Sequence, residues 1–232
     1  MALALIVAAG RGRRMKEAIP KQYVRIDGCP IIGHTLKIFD ACDMIRHIYL
    51  VVPENDLDYC REKILPSLKL KKRVFCVAGG RERQESVLNG LNAMEDPKND
   101  DIVVIHDGVR PLVRCEHINA CIDASRRWGA CILGNPVFDT LKSVDSSHFI
   151  RGTVERSGVW TAQTPQAFRY DLIRNAHEQA RIAGYKATDD ASLLERLGEK
   201  VKMISGSRLN IKITTREDLK FANIFLQSKQ TS

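Results

Sequence analysis

Ala8-Ala9-Gly10-Arg11-Gly12-Arg13-Arg14-Met15 is the stretch that decides the fold, because it directly follows an apolar run from Leu3 to Val7. The apolar run predicts a buried strand, and Pro20-Lys21-Gln22 follows soon after the loop. A strand that leads into a loop rich in glycine and arginine offers close backbone approach, free N–H groups and positive charge at one place. Lys21 adds a second cation from a separate segment. Nucleotide phosphates need this combination, so the stretch predicts a site for a nucleoside triphosphate.

Two well-known glycine-rich phosphate loops do not match this stretch. A dinucleotide-binding loop needs a third glycine at the position that Met15 occupies. A P-loop needs the pattern Gly-x-x-x-x-Gly-Lys-Ser/Thr, and the sequence contains no such run. Two interpretations remain: a phosphate loop of another type, which we favour, and an ordinary strand-to-helix turn with solvated arginines.

Length, composition and cysteine pattern limit the class of protein. With 232 residues, of which 44% are hydrophobic, the chain can bury the core of one domain. No apolar run approaches the roughly 20 residues that span a bilayer, and the short N-terminal run lacks the basic segment of a signal peptide. The seven cysteines contain no C-x-x-C pair, so we expect reduced thiols in a cytoplasmic protein, without a disulfide framework or zinc site.

The net charge of +8 raises the question of nucleic acid binding. The basic residues lie in separate segments: the glycine loop, Lys69–Arg73, and the pair Arg81 and Arg83. Only 6% of the residues are aromatic, and no nucleic-acid-binding motif is present. We therefore expect the charge to serve phosphorylated small molecules, with neither nucleic acid nor membrane as a partner.

Short apolar runs alternate with helical patterns, which predicts an α/β fold with a mostly parallel sheet and helices on both faces. The predicted strands are Leu3–Val7, His47–Val52, Arg73–Val77, Ile102–His106, Ala130–Asn135 and Val201–Ile204. The predicted helices are Ile31–Ala41, Asp56–Leu65, Arg83–Met94, Glu116–Trp128, Asp171–Ala183, Asp190–Leu197 and Arg216–Gln227, with Asp189 or Asp190 as a cap. Ligands of such sheets bind beyond the carboxyl ends of the strands.

The segment 137–160 breaks this alternation. Its strand-like pieces, Phe138–Val144 and Phe149–Glu155, flank the polar turn Asp145-Ser146-Ser147, which predicts a hairpin arm that projects from the domain. An isolated two-stranded hairpin is marginally stable in water, so we expect the arm to rest on a second subunit. The stretch Thr161–Phe168 that follows is interpreted as a polar loop in which the chain re-enters the domain.

Polar residues follow several predicted strands. In Gly79–Ser86 the two glycines allow unusual backbone angles, and Ser86 lies near the positive end of the next helix. Asp107 ends the fourth strand, where a carboxylate can hold a ribose hydroxyl or a metal, and Arg110 can reach a phosphate. For the glycine pair, an ordinary polar turn is an equal alternative.

The sequence offers no nucleophile set and no structural metal site. There is no Ser/His/Asp or Cys/His arrangement, which argues against covalent catalysis. His106, at the end of an apolar strand, is interpreted as a hydrogen-bonded core histidine without a catalytic role. No His, Cys and carboxylate cluster has the spacing of a metal site, so a metal would be a hard cation held mainly by the phosphates of the nucleotide.

Taken together, these motifs resemble the 2-C-methyl-D-erythritol 4-phosphate cytidylyltransferase family from residue 3 to about residue 226. In order, they are AAGRGRRM, PKQY, GGRERQESV, HDGVRP, DTLK, TVERSGVWTAQTPQAF, TDDAS and NIKITTREDL. The resemblance implies a Rossmann-like nucleotidyltransferase fold in one domain, residues 1–232, whose arm at 137–160 joins two subunits in a homodimer. It also implies synthesis of CDP-methylerythritol and pyrophosphate from CTP and the polyol phosphate, in the non-mevalonate route to isoprenoids.

The resemblance also implies roles for individual residues. Arg14 and Lys21 would stabilise charge on the α-phosphate of CTP, and Arg156 and Lys212 would hold methylerythritol phosphate for attack. Mg²⁺ or another divalent cation would bridge the triphosphate oxygens. The CTP pocket would contain Ala8, Ala9, Gly10, Gly80 and Ser86, and the polyol site Asp107, Arg110, Thr140 and Thr188, with Thr140 and Arg156 supplied by the neighbouring subunit.

Three positions depart from the usual pattern of the family. Gly108-Val109 stands where two small residues such as Ala-Ala are frequent, and ribitol 5-phosphate cytidylyltransferases tend to carry Val at the second position. Arg81 stands where an acidic residue is common. A cytidylyltransferase for another polyol or sugar phosphate is therefore the nearest alternative. A non-enzymatic nucleotide- or RNA-binding module is a more distant one, because it leaves the recurrence of polar groups at strand ends unexplained.

Overall fold

A seven-stranded mixed sheet forms the centre of the molecule in the computed structural model, which describes residues 1–10 and 19–228. The sheet has the order β11-β7-β10-β6-β1-β4-β5. All of its strands are parallel except β10, which runs antiparallel to both of its neighbours. The strands are β1 (Ala2–Val7), β4 (Ile45–Val52), β5 (Val74–Ala78), β6 (Ile102–Asp107), β7 (Ala130–Pro136), β10 (Trp160–Arg169) and β11 (Lys202–Ser205). The prediction for Arg14 lies outside the described residues.

Helices cover both faces of the sheet, as the alternating pattern predicts. They are α1 (Ile31–Ala41), α2 (Leu57–Tyr59), α3 (Leu65–Leu68), α4 (Arg83–Asn92), α5 (Cys115–Trp128), α6 (Tyr170–Ile182), α7 (Ala191–Arg196) and α8 (Arg216–Ser228). A π-helical segment, Cys60–Ile64, joins α2 to α3. Two short ladders lie outside the main sheet: β2 (Arg25–Ile26) with β3 (Cys29–Pro30), and β8 (Leu141–Val144) with β9 (Ile150–Val154).

Strand β1 shows why both faces must be covered. All six of its residues are buried, and successive side chains point to opposite faces. Ala4 and Ile6 belong to a core shared with α1 and α5. Leu3 and Leu5 belong to a second core shared with α4, α6 and α7. A strand of this kind forms a continuous apolar run, which is how the sequence revealed it.

Six of the seven helix predictions are confirmed and differ at the ends by at most two residues. The prediction of one helix over Asp56–Leu65 is only partly right, because α2 is followed by the π-helical segment Cys60–Ile64 and then by α3. Helix α1 has the predicted bounds and begins directly after Pro30. The choice between Asp189 and Asp190 as the cap of α7 is settled by hydrogen bonds. The Asp189 carboxylate accepts from the Ser192 N–H (Oδ1 to N, 3.0 Å), whereas the Asp190 carboxylate makes no cap hydrogen bond.

The interpretation of Thr161–Phe168 as a loop is wrong, because these residues lie in β10, between β6 and β7. The strand was hidden by polar side chains and Pro165, next to which the pairing with β7 shifts register. Gln166 is nevertheless buried, since its amide bonds Asp189 Oδ2 (2.8 Å) and accepts from the N–H groups of Asp190 and Ala191. Polar groups with partners cost little to bury, so alternation of polarity fails to reveal such a strand.

The projecting hairpin is present as predicted. Strands β8 and β9 pair antiparallel in a ladder separate from the main sheet. Asp145 closes the turn by accepting hydrogen bonds from the backbone N–H groups of Ser147 (2.9 Å) and Phe149 (3.0 Å). We call residues 137–160 the arm. The division into one domain of residues 1–232 with this arm stays a prediction.

The expectation that every thiol is reduced is wrong for one pair. Cys42 and Cys115 form a disulfide, and the other five cysteines are free. Cys42 directly follows α1 and Cys115 begins α5, two helices that pack on the same face of the sheet. A separation of 73 residues gives no sign of this proximity. Within residues 1–10 and 19–228, no helix is both long and apolar enough to cross a membrane.

Candidate active site

A cleft opens at the carboxyl ends of β1, β5 and β6, where the fold predicts a ligand site. It is lined by Val7, Ala8, Ala9, Gly10, Lys21, Gln22, Gly80, Arg81, Glu82, Arg83, Ser86, Asp107, Val109 and Lys212. The cleft thus brings together, from five separate segments, eight of the thirteen residues for which the sequence predicts a role.

The nucleotide side of the cleft is built from backbone held in close contact. Beyond β1, the Ala8 N–H bonds the Val51 carbonyl (2.8 Å), and beyond β5, the Gly79 N–H bonds the Val52 carbonyl (2.7 Å). A Cβ at Gly79 would lie 2.3 Å from the Ala9 Cβ, so only glycine allows the two loops to approach this closely. The approach forms a wall of backbone that can lie flat against a ligand.

Ser86 fixes the second loop of this wall. It lies in the first turn of α4 and is almost completely buried. Its Oγ accepts from the Gly80 N–H (3.0 Å) and donates to the Glu82 carbonyl (3.0 Å). Arg81 is held through its backbone N–H, which bonds Glu85 Oε2 (2.7 Å), so its side chain is available at the rim.

Asp107 is the centre of charge in the cleft floor. Its side chain is 8% exposed, and it pairs with three cations. Arg83 Nε lies 3.2 Å from Oδ1, while Lys212 Nζ and Arg110 Nε lie 2.9 and 3.4 Å from Oδ2. Burial alone would raise the pKa of Asp107, but the three cations outweigh it and hold that pKa far below its usual range. Asp107 is therefore a permanent anion that gathers positive charge.

His106 supports Asp107 from the core, as predicted. Its ring is fully buried, with Nε2 3.2 Å from the Arg110 carbonyl and Nδ1 3.0 Å from Thr164 Oγ1. Since the carbonyl only accepts, Nε2 carries the proton and the Thr164 hydroxyl donates to Nδ1. The same hydroxyl accepts from the Asp107 N–H (3.0 Å). Burial lowers the pKa of His106 to about 3, so the ring is neutral and structural.

Lys21 and Lys212 line the same cleft and come from separate segments of the chain. Lys21 begins a short 3-10 helix, Lys21–Tyr23, and its Nζ donates to the Ile213 carbonyl (3.2 Å). Lys212 precedes that carbonyl, so the two ammonium groups belong to one cationic wall. Gln22, to which the sequence assigned no role, is buried beside them, and its amide has no hydrogen-bond partner among residues 1–10 and 19–228.

Arg83 and Asp190 are the residues that sequence reasoning missed. Arg83 Nη2 lies 2.7 Å from Asp190 Oδ2, and His177 Nε2 lies 3.2 Å from the other oxygen of Asp190. The motif GGRERQESV contained Arg83, and TDDAS contained Asp190, but nothing in the spacing of the two motifs indicated that they form an ion pair.

Thr140 and Arg156 are not among the residues that line the cleft of their own chain. Both are exposed at the base of the arm, where the Arg156 guanidinium donates to the Phe138 carbonyl. Thr188 is exposed in the loop before α7. That loop is attached to α4 by Gln84, which donates to the Tyr185 carbonyl (3.0 Å) and accepts from the Ala187 N–H (2.9 Å).

The donor set of the cleft fits a hard cation that a ligand brings with it. No group of three or more His, Cys, Asp or Glu side chains is placed to hold a metal in the described part of the chain. Asp107 is the buried carboxylate of the floor, and both of its oxygens already face cations. Phosphate oxygens would therefore supply most ligands of a divalent cation, and Asp107 and Glu82 are the carboxylates that line the cleft.

Comparison with known proteins agrees with this geometry. The sequence profile of the 2-C-methyl-D-erythritol 4-phosphate cytidylyltransferase family matches residues 2–228. The chain is 48% identical over 224 residues to the family enzyme of Syntrophotalea carbinolica, covering 97% of this chain and 95% of the relative. It is 44% identical over 225 residues to the enzyme of Geotalea uraniireducens, covering 97% and 96%.

Solved structures give the same result. The crystal structure of 4-diphosphocytidyl-2C-methyl-D-erythritol synthase from Anaerococcus prevotii matches with a TM-score of 0.85 at 35% identity, covering 98% of this chain and 96% of that one. The Francisella tularensis 2-C-methyl-D-erythritol 4-phosphate cytidylyltransferase matches with a TM-score of 0.79 at 33% identity, covering 97% and 99%. These full-length matches confirm the predicted fold. With the motif order and the placement of the strand-end residues, they show that the chain belongs to the 2-C-methyl-D-erythritol 4-phosphate cytidylyltransferase family.

Proposed function

We propose that the cleft joins CTP to 2-C-methyl-D-erythritol 4-phosphate, giving CDP-methylerythritol and pyrophosphate. One observation carries the assignment of sites: a backbone wall at Ala8–Gly10 and Gly80, and a cation cluster around Asp107, face the same cleft. The wall suits a flat base and its ribose, and the cluster suits a second, anionic substrate. Family membership indicates which reaction takes place. The geometry supports the assignment of CTP to the backbone wall and of the polyol phosphate to the cation cluster.

The reaction needs positioning and charge stabilisation more than proton transfer. A phosphate monoester is already anionic near neutral pH, so it attacks the α-phosphate of CTP without a general base. The barrier comes from bringing two anions together and from the charge that accumulates at phosphorus. Fixed cations lower such a barrier, because they need no reorganisation at the moment of reaction.

The cations divide between the two substrates. Lys21 stabilises the α-phosphate during attack, together with Arg14, whose role follows from the family resemblance. Lys212 holds the attacking phosphate, and Asp107 keeps the Lys212 ammonium in place at 2.9 Å. Arg110 is fixed through Nη1, which donates to the Asn210 carbonyl (2.7 Å), so it presents its charge to the polyol side.

A divalent cation such as Mg²⁺ would be held mainly by the triphosphate, and Glu82 and Asp107 are the cleft carboxylates that could add ligands. When bound, it neutralises phosphate charge and makes pyrophosphate a better leaving group. The protein residues do the remaining work: they orient the two phosphates and exclude other approaches to the α-phosphate.

The arm completes the site in a homodimer, in our proposal. Its support is an apolar surface that the chain leaves open, with Phe149 and Ile150 exposed by 74% and 65%. Thr140 and Arg156 lie at the base of the same arm, and the family resemblance is the reason to propose that they enter the cleft of the partner subunit. A cytoplasmic location also stays our prediction, and it rests on the five free cysteines.

Pyrophosphate release is the direct test. The purified chain is incubated with CTP and either methylerythritol phosphate or ribitol 5-phosphate, with and without Mg²⁺. We expect release with methylerythritol phosphate at a kcat/KM well above that with ribitol phosphate. The reverse order would assign the chain to the alternative polyol, and tight RNA binding without release would exclude both.

The ribitol phosphate alternative rests on the residues Gly108 and Val109. Packing accounts for Gly108 but not for Val109. A Cβ at Gly108 would lie 2.5 Å from Ile32 Cδ1 and 3.1 Å from the Ala8 Cβ. A side chain at this position would require Ile32 to move, which gives glycine a packing reason that does not depend on the substrate. Val109 lines the cleft, so it is the position at which the comparison of the two polyols is informative.

A further inference from the structure

Arg83 connects two buried carboxylates that belong to different parts of the fold. It is the first residue of α4, and its side chain is 29% exposed. Nε bonds Asp107 Oδ1 at 3.2 Å, at the end of β6, and Nη2 bonds Asp190 Oδ2 at 2.7 Å, at the start of α7. A planar guanidinium that bonds two carboxylates at once is a rigid connection between them.

Asp190 is the fixed end of this connection. Its side chain is 1% exposed, and the His177 ring holds the oxygen that Arg83 does not contact (Nε2 to Oδ1, 3.2 Å). The Asp190 N–H donates to Gln166 Oε1 (3.2 Å), which ties the residue to β10. Arg83 is therefore anchored to the packed core behind the cleft.

Asp107 is the end that faces the cleft. Rotation about the last bond of an aspartate side chain is soft, so a carboxylate with one strong partner can turn. Arg83 occupies Oδ1, which leaves Oδ2 to Lys212 and, more weakly, to Arg110. The position of the Lys212 ammonium thus depends on a carboxylate whose orientation Arg83 fixes.

Charge balance points the same way. The cluster contains three cations, Arg83, Arg110 and Lys212, and two carboxylates, Asp107 and Asp190. Without Arg83, Asp190 would retain only His177 as a partner, and Asp107 would retain Arg110 and Lys212 and would draw Lys212 more strongly to itself. Lys212 would then be less available to a substrate phosphate.

We propose that Arg83 is a positioning residue that fixes Asp107 against Asp190 and so presents Lys212 to the phosphate of the polyol substrate. This role rests on the proposed function and assigns Arg83 no contact with the reacting atoms. The competing role is purely structural, in which Arg83 serves only to neutralise the buried Asp190. The two roles differ in what happens when position 190 no longer carries a charge.

The test compares Arg83→Met, Asp190→Asn and the double variant in the full chain. Arg83→Met leaves a buried carboxylate without its main partner, so we expect a lower Tm and a kcat/KM for methylerythritol phosphate reduced about tenfold to hundredfold. In the double variant, the neutral amide at position 190 needs no counter-charge, so much of the Tm returns. If Arg83 positions Asp107, kcat/KM stays low in the double variant while KM for CTP changes little.

Two further variants guard the interpretation. Arg83→Lys retains the charge but lacks the planar fork, so we expect a Tm near wild type and kinetics near those of Arg83→Met; it also serves if the Met variant does not fold. Arg181→Met is the matched control, since Arg181 is an exposed arginine that pairs with Glu178 (2.7 Å) on α6. We expect its kinetics to equal those of wild type.

The failures can be told apart. Recovery of kcat/KM together with Tm in the double variant would assign Arg83 a structural role only and overturn the proposal. So would unchanged kinetics in Arg83→Met. A wild-type chain that releases no pyrophosphate from CTP and methylerythritol phosphate would instead contradict the proposed function itself.

Discussion

The cleft floor and the arm differ in how firmly their proposed functional side chains are held. In the floor, Asp107 and its cations lie at fixed distances of 2.9 to 3.4 Å, tied to the core by His106 and Asp190. In the arm, Thr140 and Arg156 are exposed, and apolar side chains beside them face solvent. The floor is organised within one chain, whereas in the proposed homodimer the arm rests on a surface of the other subunit.

This difference indicates that two separate parts of the molecule hold the cations of the floor in place and add the residues of the arm to the site. Buried ion pairs keep cations at fixed places, which lowers the cost of stabilising a transition state. An exposed arm can deliver a residue only when something holds it. Changes in the floor should therefore act within one chain, and changes in the arm should act between chains.

The largest expected effect comes from the two cations that we assign to the α-phosphate of CTP. Lys21→Met, and likewise Arg14→Met, should lower kcat by about a hundredfold to a thousandfold, because in our proposal each residue stabilises charge that develops in the transition state. KM for CTP should change much less. Lys63→Met, which removes an exposed lysine from the π-helical segment, is the control. Unchanged turnover in either cleft variant would refute its assigned role.

The second effect tests whether the arm acts between chains. Arg156→Ala should lower kcat/KM about tenfold to hundredfold, the loss expected for one hydrogen bond to a charged group. Co-expression with Lys21→Met then decides where Arg156 acts. If it acts in the partner's cleft, a mixed dimer has one intact site of two, and random pairing restores about a quarter of wild-type activity. If it acts in its own chain, mixing restores nothing.

The third effect concerns the anchor behind the floor. Burial opposes ionisation of Asp190, but Arg83 and His177 outweigh it and lower its pKa from 3.8 to about 2. A depressed carboxylate pKa stabilises the fold above the unfolded-state value, so this contribution, about 2 kcal/mol, is lost as pH falls from about 4 toward 2. Urea unfolding should show a weaker acid dependence in Asp190→Asn than in Asp123→Asn, an exposed control. Equal slopes would remove Asp190 from the acid response.

The smallest effect probes the nucleotide wall. Ser86→Ala frees the Gly80 N–H, and the loss of about 1 kcal/mol should raise KM for CTP about fivefold with little change in kcat. Ser125→Ala is the matched control, because Ser125 is also buried and its hydroxyl also donates to a backbone carbonyl, that of Ala167 (2.8 Å). Both variants should lose similar stability, and only the first should lose affinity for CTP. An equal KM in both would separate Ser86 from the nucleotide.

The sequence predicted those strands and helices whose burial shows as a local pattern of apolar residues. The buried run of β1 and the periodic apolar face of α1 stand in the sequence itself, and the strand-end position of Asp107 follows from them. Strand β10 was missed because its buried glutamines are satisfied by partners far along the chain. The residues of the cleft were predicted from their positions at strand ends and from the family resemblance.

Pairings between distant residues could not be predicted. Arg83 and Asp190 are 107 residues apart, and Cys42 and Cys115 are 73 apart. Their motifs are visible in the sequence, but their contact depends on how two helices pack on one sheet. The sequence thus showed Arg83 and Asp190 as members of two separate motifs, and only the folded structure shows that they form an ion pair.

The reversed direction of β10 has a consequence for how the arm could be exchanged. Strand β7 ends at Pro136 and β10 starts at Trp160, and these two residues are paired. They lie on the side of the sheet where the carboxyl ends of the parallel strands form the cleft. The whole arm is therefore an insertion between adjacent positions, equivalent to an enlarged hairpin loop. A short turn could replace it without changing the length or register of any strand in the main sheet. The arm, which we propose to contact a partner subunit, can therefore vary in length and sequence while the cleft floor is left as it is.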